Sequence, residues 1–293
     1  MSISIEELRE VFSSGDQKRN EGNMTPDDIQ RDDNIRYGDD IVWQVLDVYR
    51  PKEYNGKLPV IISFHGGAWV YGDKNVYQWY TMSLAQYGFA VINFSYRLAP
   101  EYQFPSPIED MNSVVKWMLE NCDTYDFDVN HVFAVGDSAG GNGLGIYCNL
   151  LSNPDYAKKF EIDLPKDFAF DAIALNCGAF LIDMDKEGMT KDLMHAYLPH
   201  GGSQKELASI DVCKHVTKNF PPCYIMTSDG DFLRQDSVHL FDKLSLVSEH
   251  VQYRSYLGQN KPLPHCFHCD IKRKEARQCN QDEIEFFNTY RKE

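Results

Sequence analysis

The residues best suited to chemistry in this chain surround Ser138, which lies at the centre of a Gly-x-Ser-x-Gly pattern at residues 136–140. The pattern directly follows a strand-like apolar run and directly precedes a helical one, Asn142–Leu151. A strand–turn–helix of this kind holds the serine in a strained conformation and requires small flanking residues. The following helix begins with backbone N–H groups and the positive end of its dipole, where an oxyanion forms. Ser138 is therefore predicted to be a nucleophile for acyl transfer.

A second motif, His65-Gly66-Gly67, follows another apolar run. Successive glycines leave backbone N–H groups uncovered, so that a substrate oxygen approaches them closely. Gly66 and Gly67, together with the N–H of Ala139, are predicted to form an oxyanion hole. Taken alone, the same residues favour an ordinary Gly-Gly turn, but the Ser138 pattern beside them favours the functional interpretation.

A third element, Tyr96-Arg97-Leu98-Ala99-Pro100-Glu101 followed by Phe104-Pro105, stands between these two motifs. The three motifs in this order resemble the hormone-sensitive-lipase-like esterases, the bacterial α/β-hydrolases with a His-Gly-Gly oxyanion motif. The resemblance extends from about residue 41 onward and covers most of the chain. It implies an α/β-hydrolase fold and a catalytic triad in the chain order serine, acid, histidine.

The resemblance also indicates where the acid lies, in an Asp-x-Leu element after a strand. Residues 227–234 offer Asp229 and Asp231, and Asp231 matches the position before x-Leu. We take Asp231 as the acid, with Asp229 as the alternative. The acid would orient the imidazole and stabilise its protonated form.

The family's histidine lies in a loop after the last strand, in a His-Gly-Phe-like element. His265 matches this position, although Cys266 replaces the usual glycine. His268 is the alternative. His265 would take the Ser138 proton during attack and return it to the leaving alcohol.

The stretch from His265 to Cys269 also allows a metal interpretation, because it contains two histidines and two cysteines. Zinc sites usually need two ligand pairs separated by a longer loop, and the sequence offers no second pair nearby. We therefore predict no metal and no cofactor.

The elements around these motifs alternate between short apolar runs and longer amphipathic ones, which predicts a mostly parallel sheet with helices on both faces. The predicted strands are Ile41–Tyr49, Pro59–Phe64, Phe89–Phe94, Val132–Val135, Ala172–Leu175, Cys223–Thr227 and Val251–Leu257. The other predicted helices are Ile5–Phe12, Pro107–Asn121, Lys186–Tyr197, Gln204–Ile210, Leu233–Val247 and Asp282–Arg291.

Two segments interrupt this alternation, and they are expected to form a small helical cap. Residues 1–40 are polar and charged, and residues 181–215 contain no strand-like run. We predict one α/β-hydrolase domain over residues 1–293, with both segments contributing the cap.

Composition and charge restrict the partners and the location. The formal charge is −15, which disfavours nucleic acid and anionic membranes as partners. The eight cysteines are scattered, several in apolar runs, as is typical of a reducing compartment. There is no signal-like start and no apolar run of about 18 residues, so we expect a cytoplasmic protein. The exposed strand at 251–257 is compatible with a homodimer.

Together, these features predict a serine carboxylesterase that acts on small-molecule esters of short acyl chains, for which acetylated sugars and hydroxycinnamate esters are candidates. Two alternatives remain open at the level of sequence. The same triad would serve an amide or peptide hydrolase, such as a formamidase or a dipeptidyl-peptidase-like enzyme. A non-catalytic binding member of the fold is the other alternative, although such relatives typically lose a triad residue.

Overall fold

The computed structural model describes residues 3–184 and 189–291, and a single sheet runs through its centre. Its eight strands lie in the order β1-β2-β4-β3-β5-β6-β7-β8, antiparallel between β1, β2 and β4 and parallel elsewhere. The strands are β1 Ile29–Arg36, β2 Val45–Pro51, β3 Leu58–Phe64, β4 Ala90–Phe94, β5 Phe127–Asp137, β6 Ala172–Asn176, β7 Cys223–Ser228 and β8 Val251–Tyr256. This sheet confirms the predicted α/β-hydrolase fold.

Helices cover both faces of the sheet and extend beyond its carboxyl edge. They are α1 Ile5–Asn20, α2 Lys74–Ala85, α3 Ser106–Glu120, α4 Ala139–Ser152, α5 Pro154–Ala157, α6 Met189–Tyr197, α7 Gln204–Ile210, α8 Val212–His215, α9 Arg234–Ser245 and α10 Lys274–Tyr290.

The central strands are buried on both faces, which explains their continuous apolar sequences. Successive side chains along a strand point to opposite faces, so Val60, Ile62 and Phe64 of β3 join one core and Ile61 joins the other. The first core packs against α3, α4 and α9, and the second against α2 and α10.

Residues 1–40 are predicted to belong to the cap, and this prediction is wrong for the part of the segment that forms β1. Residues Ile29–Arg36 pair with β2 and form an edge of the sheet, with a bulge between Asp32 and Ile35. This sequence has few apolar residues, and the strand is held by its backbone ladder to β2 and by ion pairs such as that of Asp32 with the buried Arg50. The helix α1, by contrast, lies over the carboxyl edge of the sheet, where its residues line the main cavity.

The second predicted cap segment, residues 181–215, contains α6, α7 and α8 and no strand among its described residues. The helix predicted from residue 186 begins at Met189 in the described part of the chain; residues 185–188 lie outside it.

Candidate active site

Ser138 sits at the end of β5, in the sharp turn that leads into α4. Its backbone has φ 52° and ψ −119°, a conformation that L residues rarely adopt. The turn is held by the Ser138 N–H, which donates to the Asn176 carbonyl at 3.0 Å. A Cβ atom at Gly140 would collide with the backbone carbonyl groups of Phe64 and His65. These contacts explain why a glycine must follow the serine at this spacing.

His265 and Asp231 reach the same edge of the sheet from two different loops. Asp231 follows β7, and its Oδ1 lies 2.7 Å from Nδ1 of His265. The hydroxyl of Thr227 donates to Oδ2 of Asp231 at 2.7 Å, and the N–H of Leu233 donates to Oδ1 at 2.9 Å. The carboxylate is therefore fixed on both oxygens and oriented toward the imidazole.

The pKa shifts of this pair reflect the contact. Burial disfavours the charge on His265, but the hydrogen bonds to Asp231 and to the Cys177 thiol outweigh it and raise the pKa of His265. Burial likewise opposes ionisation of Asp231, but the contact with His265 outweighs it and lowers the pKa of Asp231. The pair therefore stabilises an imidazolium, the state that forms when the histidine takes a proton from serine.

The two alternatives left open by the sequence lie elsewhere. The carboxylate of Asp229 accepts hydrogen bonds from the N–H groups of Leu263 at 2.7 Å and Gly258 at 3.2 Å, so it fastens the loop before His265. His268 is fully buried against Tyr80, and burial lowers its pKa to about 3. Only His265, of these two histidines, lines the cavity that contains Ser138.

The glycine loop differs from the prediction at Gly66. The Gly66 N–H points into the protein, where it lies 3.1 Å from both the Tyr77 hydroxyl and Oδ1 of Asp137. It is therefore engaged in holding the loop, and these hydrogen bonds do not support the prediction that the Gly66 N–H contributes to an oxyanion hole, although Gly66 lines the cavity. Gly67 and Ala68 follow with φ values of +121° and +53°, so the chain reverses there, and both residues line the cavity with Ala139.

Asp137 is a functional residue that sequence reasoning passed over. It is fully buried between the serine turn and the glycine loop, and its Oδ2 accepts from the Tyr77 hydroxyl at 2.7 Å. Burial raises its pKa, while the hydrogen bonds from Tyr77 and the Cys266 thiol act in the opposite direction. The signal available in the sequence was an acidic residue directly after an apolar strand, at the variable position of the serine motif.

The Tyr-Arg-Leu-Ala-Pro-Glu element supports the loop from below. The Tyr96 hydroxyl donates to the His65 carbonyl at 3.0 Å, and the Tyr96 ring stacks on His65 with a 4.2 Å centroid separation. Arg97 is anchored to the buried carboxylate of Asp110 at 2.9 Å. The motif therefore has a structural role, because it holds the loop that contains Gly66 and Gly67 in position.

A cavity of about 390 Å³ opens over these residues. Ser138 and His265 both line it. Its walls come from α1, from the loop after β3, from the cap segment and from the loop after β7, and they include Phe12, Trp69, Ile182, Leu193 and Phe232. An ion pair on α1, Arg19 with Asp16 at 2.7 Å, adds charged groups to the wall, as does Asp236.

The residues considered as metal ligands do not converge on one point. In the described part of the chain they divide between two clusters: His265 and Cys266 lie with Cys177, whereas His268 and Cys269 lie with Asp137. All eight cysteines are free thiols.

The fold and the site together define the α/β-hydrolase class. The BD-FAE family model matches residues 46–244, which is more than half of the chain, so the chain belongs to the BD-FAE family. This confirms the resemblance to the hormone-sensitive-lipase-like esterases.

Two similar relatives are esterases by name. The chain is 34% identical over 143 residues to Esterase LipC of Mycobacterium tuberculosis, which covers 47% of this chain and 34% of that protein. It is 26% identical over 237 residues to the versiconal hemiacetal acetate esterase of Dothistroma septosporum, which covers 75% of this chain and 70% of that protein. The match to LipC thus spans only about a third of that relative's length.

Among solved structures, the Lactobacillus rhamnosis esterase B inhibited by a C4-C4 tributyrin phosphonate is similar, with a TM-score of 0.86 and 25% identity. The match covers 98% of this chain and 94% of that one. Separately, no helix in the described part of this chain is long and apolar enough to cross a membrane.

Proposed function

We propose that the protein is a serine carboxylesterase that hydrolyses short-chain acyl esters through an acyl-enzyme. One observation carries this proposal. His265, whose Nδ1 lies 2.7 Å from Oδ1 of Asp231, lines the same cavity as Ser138, which occupies the strained turn at the end of β5. A strained serine beside a carboxylate-oriented imidazole is the arrangement that activates a hydroxyl nucleophile.

The reaction takes place in two steps. His265 accepts the Ser138 proton while Oγ attacks the ester carbonyl carbon. The carbon–oxygen bond to the alcohol then breaks, and His265 returns the proton to that oxygen. In the second step His265 takes a proton from water, the hydroxide attacks the acyl carbon, and the acid leaves as the proton returns to Ser138. Asp231 stabilises the imidazolium in both steps.

The oxyanion receives its hydrogen bonds from the N–H groups of Gly67, Ala68 and Ala139. Ala68 thus takes the role that the sequence assigns to Gly66. This assignment rests on the partners of the Gly66 N–H, which lie inside the protein. Gly67, Ala68 and Ala139 all line the cavity beside Ser138. Removal of one such donor typically costs about 10²–10³ in kcat.

The cavity supports a small, largely apolar acyl group. Its size of about 390 Å³ lies near the lower end of small-molecule sites. Trp69 stacks on Tyr197 with a 5.1 Å centroid separation and forms a rigid wall close to the serine. A relative named for an acetate ester and a neighbour inhibited by a C4 phosphonate support an acetyl-to-butyryl range. Acetylated sugars and hydroxycinnamate esters are the natural classes to test.

The test is hydrolysis of p-nitrophenyl acetate, butyrate and octanoate by wild type, Ser138→Ala and Ser113→Ala. Ser113 is a matched control, because it is half-buried in α3 and its hydroxyl donates only to the Glu109 carbonyl. We expect Ser138→Ala to lower kcat/KM by roughly three orders of magnitude or more, with Ser113→Ala close to wild type. Acetate and butyrate should be preferred to octanoate.

The p-nitroanilide of acetic acid, assayed in parallel, separates ester from amide chemistry. Turnover of the anilide with no turnover of the three esters would replace the proposal by an amidase. A wild type inactive on every substrate would favour a binding role.

A further inference from the structure

Two thiols flank the imidazole of His265. Cys177 directly follows β6, and Cys266 directly follows His265 in the loop before the short turn Phe267–Cys269. One ligand atom from each of these three residues lies within 4.8 Å of the other two. His265 and Cys266 line the cavity, whereas Cys177 is fully buried behind them.

The donor set of this cluster is that of a thiophilic metal site. Zinc prefers thiolate sulfur at about 2.3 Å and imidazole nitrogen at about 2.0–2.1 Å in a tetrahedron, which separates neighbouring ligand atoms by roughly 3.5–4 Å. A cluster whose atoms lie within 4.8 Å of one another reaches these separations through small side-chain rotations. The three ligands come from two separate chain segments, and a tetrahedral ion would take water as its fourth ligand.

We propose that Cys177, Cys266 and His265 form an inhibitory site for a thiophilic divalent metal ion, with Zn²⁺ as its representative. Nδ1 of His265 is hydrogen-bonded to Asp231, so the metal takes Nε2. Asp231 then supports the ligand in the manner of a carboxylate–histidine–metal arrangement. Each thiol loses its proton when its sulfur binds the ion.

Metal occupancy removes the lone pair that His265 needs in order to accept the Ser138 proton. The enzyme is therefore inactive while the ion is bound, and it recovers when the ion is removed and the thiolates take their protons back from water. The neighbouring cluster of Asp137, His268 and Cys269 is a weaker metal site, because both oxygens of Asp137 already accept hydrogen bonds within the protein.

Two variants test the ligands. Cys266 has φ +53°, a left-handed conformation that glycine adopts without strain, so Cys266→Gly removes the thiol and keeps the backbone. Cys177→Ser retains the size of the other side chain. Cys122→Ser is the control, because Cys122 is a partly exposed thiol outside the cluster.

Each protein is titrated with Co²⁺ as a spectroscopic probe. In a second experiment Zn²⁺ is added during p-nitrophenyl acetate hydrolysis, and each rate is divided by the metal-free rate of the same variant. We expect wild type and Cys122→Ser to bind one Co²⁺ with a thiolate-to-cobalt charge-transfer band. In both, Zn²⁺ inhibits and EDTA restores the rate. In Cys177→Ser and Cys266→Gly the band weakens or vanishes, and the inhibitory Zn²⁺ concentration rises roughly tenfold or more.

Unchanged zinc inhibition in both cluster variants, or absence of the charge-transfer band in wild type, would overturn the proposal. Cobalt binding does not need ester turnover, so the two proposals fail separately. A wild type that binds cobalt through these thiols but hydrolyses no ester would refute only the esterase assignment. A wild type that hydrolyses esters but binds no cobalt would refute only the metal site.

Discussion

The carboxyl group of Glu283 on α10 lies fully buried beneath the serine turn, and its ionisation should be visible in stability. Oε2 accepts from Nδ2 of Asn176 at 2.6 Å, and Oε1 accepts from the Tyr80 hydroxyl at 3.2 Å. Asn176 in turn accepts the Ser138 N–H on its carbonyl. Burial raises the pKa of Glu283 from 4.5 to about 7, although the hydrogen bonds from Asn176 and Tyr80 oppose this rise.

The sign of the pH dependence follows from where the proton is held. Between pH 4.5 and about 7 the folded protein keeps a proton on Glu283 that the unfolded chain has released. The free energy of unfolding therefore falls as pH rises through this window. At about 1.4 kcal/mol per pH unit, the contribution of Glu283 to this fall is about 3 kcal/mol. The variant Glu283→Gln keeps the shape and an acceptor but cannot ionise, so it lacks this contribution.

The assay is urea unfolding of wild type, Glu283→Gln and Glu285→Gln at intervals from about pH 5 to about pH 8. Glu285 is the matched control, because it lies exposed on the same helix. We expect Glu283→Gln to gain about 2.5 kcal/mol relative to wild type across this range, and Glu285→Gln to follow wild type. If Glu283→Gln and wild type keep a constant difference at every pH, the reasoning about this carboxyl group is refuted.

Three further outcomes are expected. Asp231→Asn should lower kcat by about 10⁴, whereas Asp229→Asn should lower mainly the melting temperature; steady-state kinetics with the reverse order would move the acid to Asp229. Gly140→Ala should abolish activity and destabilise the fold, since its Cβ meets backbone carbonyl groups, whereas Gly15→Ala on α1, with nothing within 4 Å, should not; equal melting temperatures would argue against the steric account. The acid limb of the pH profile of kcat/KM should lie above pH 6.5, because the Asp231 contact raises the pKa of His265. In Asp231→Asn this limb should shift to lower pH; an unchanged limb would show that Asp231 does not raise the pKa of His265.

The central strands and the serine turn could be predicted because their signals are local. Buried parallel strands are continuously apolar, and the small residues around Ser138 are demanded by its own turn. The edge strand β1 gave no such signal, since Ile29 and Ile35 are the only apolar residues in it and its backbone partner lies in β2. Helix α2 was also missed, although Asp73 caps its N-terminus by accepting the Val76 N–H.

The details of the site depend on contacts between segments that are distant in the chain. Gly66 and Gly67 are identical in side chain, so the sequence does not distinguish which N–H faces the cavity. That choice is made by Tyr77 and Asp137, which bind the Gly66 N–H from α2 and from β5. Cys177 likewise joins the His265 loop only because β6 ends beside it, 88 positions earlier in the chain.

The most direct test of the central claim is covalent labelling of Ser138. Wild type and Ser138→Ala are treated with a p-nitrophenyl butylphosphonate ester, and the intact mass and tryptic peptides are measured. The mechanism predicts one phosphonyl group per wild-type chain, attached to Ser138 within the peptide that contains it, together with loss of ester hydrolysis, and no labelling of Ser138→Ala. Stoichiometric labelling at another residue, or full hydrolytic activity in a protein labelled at Ser138, would contradict the assignment of Ser138 as the nucleophile.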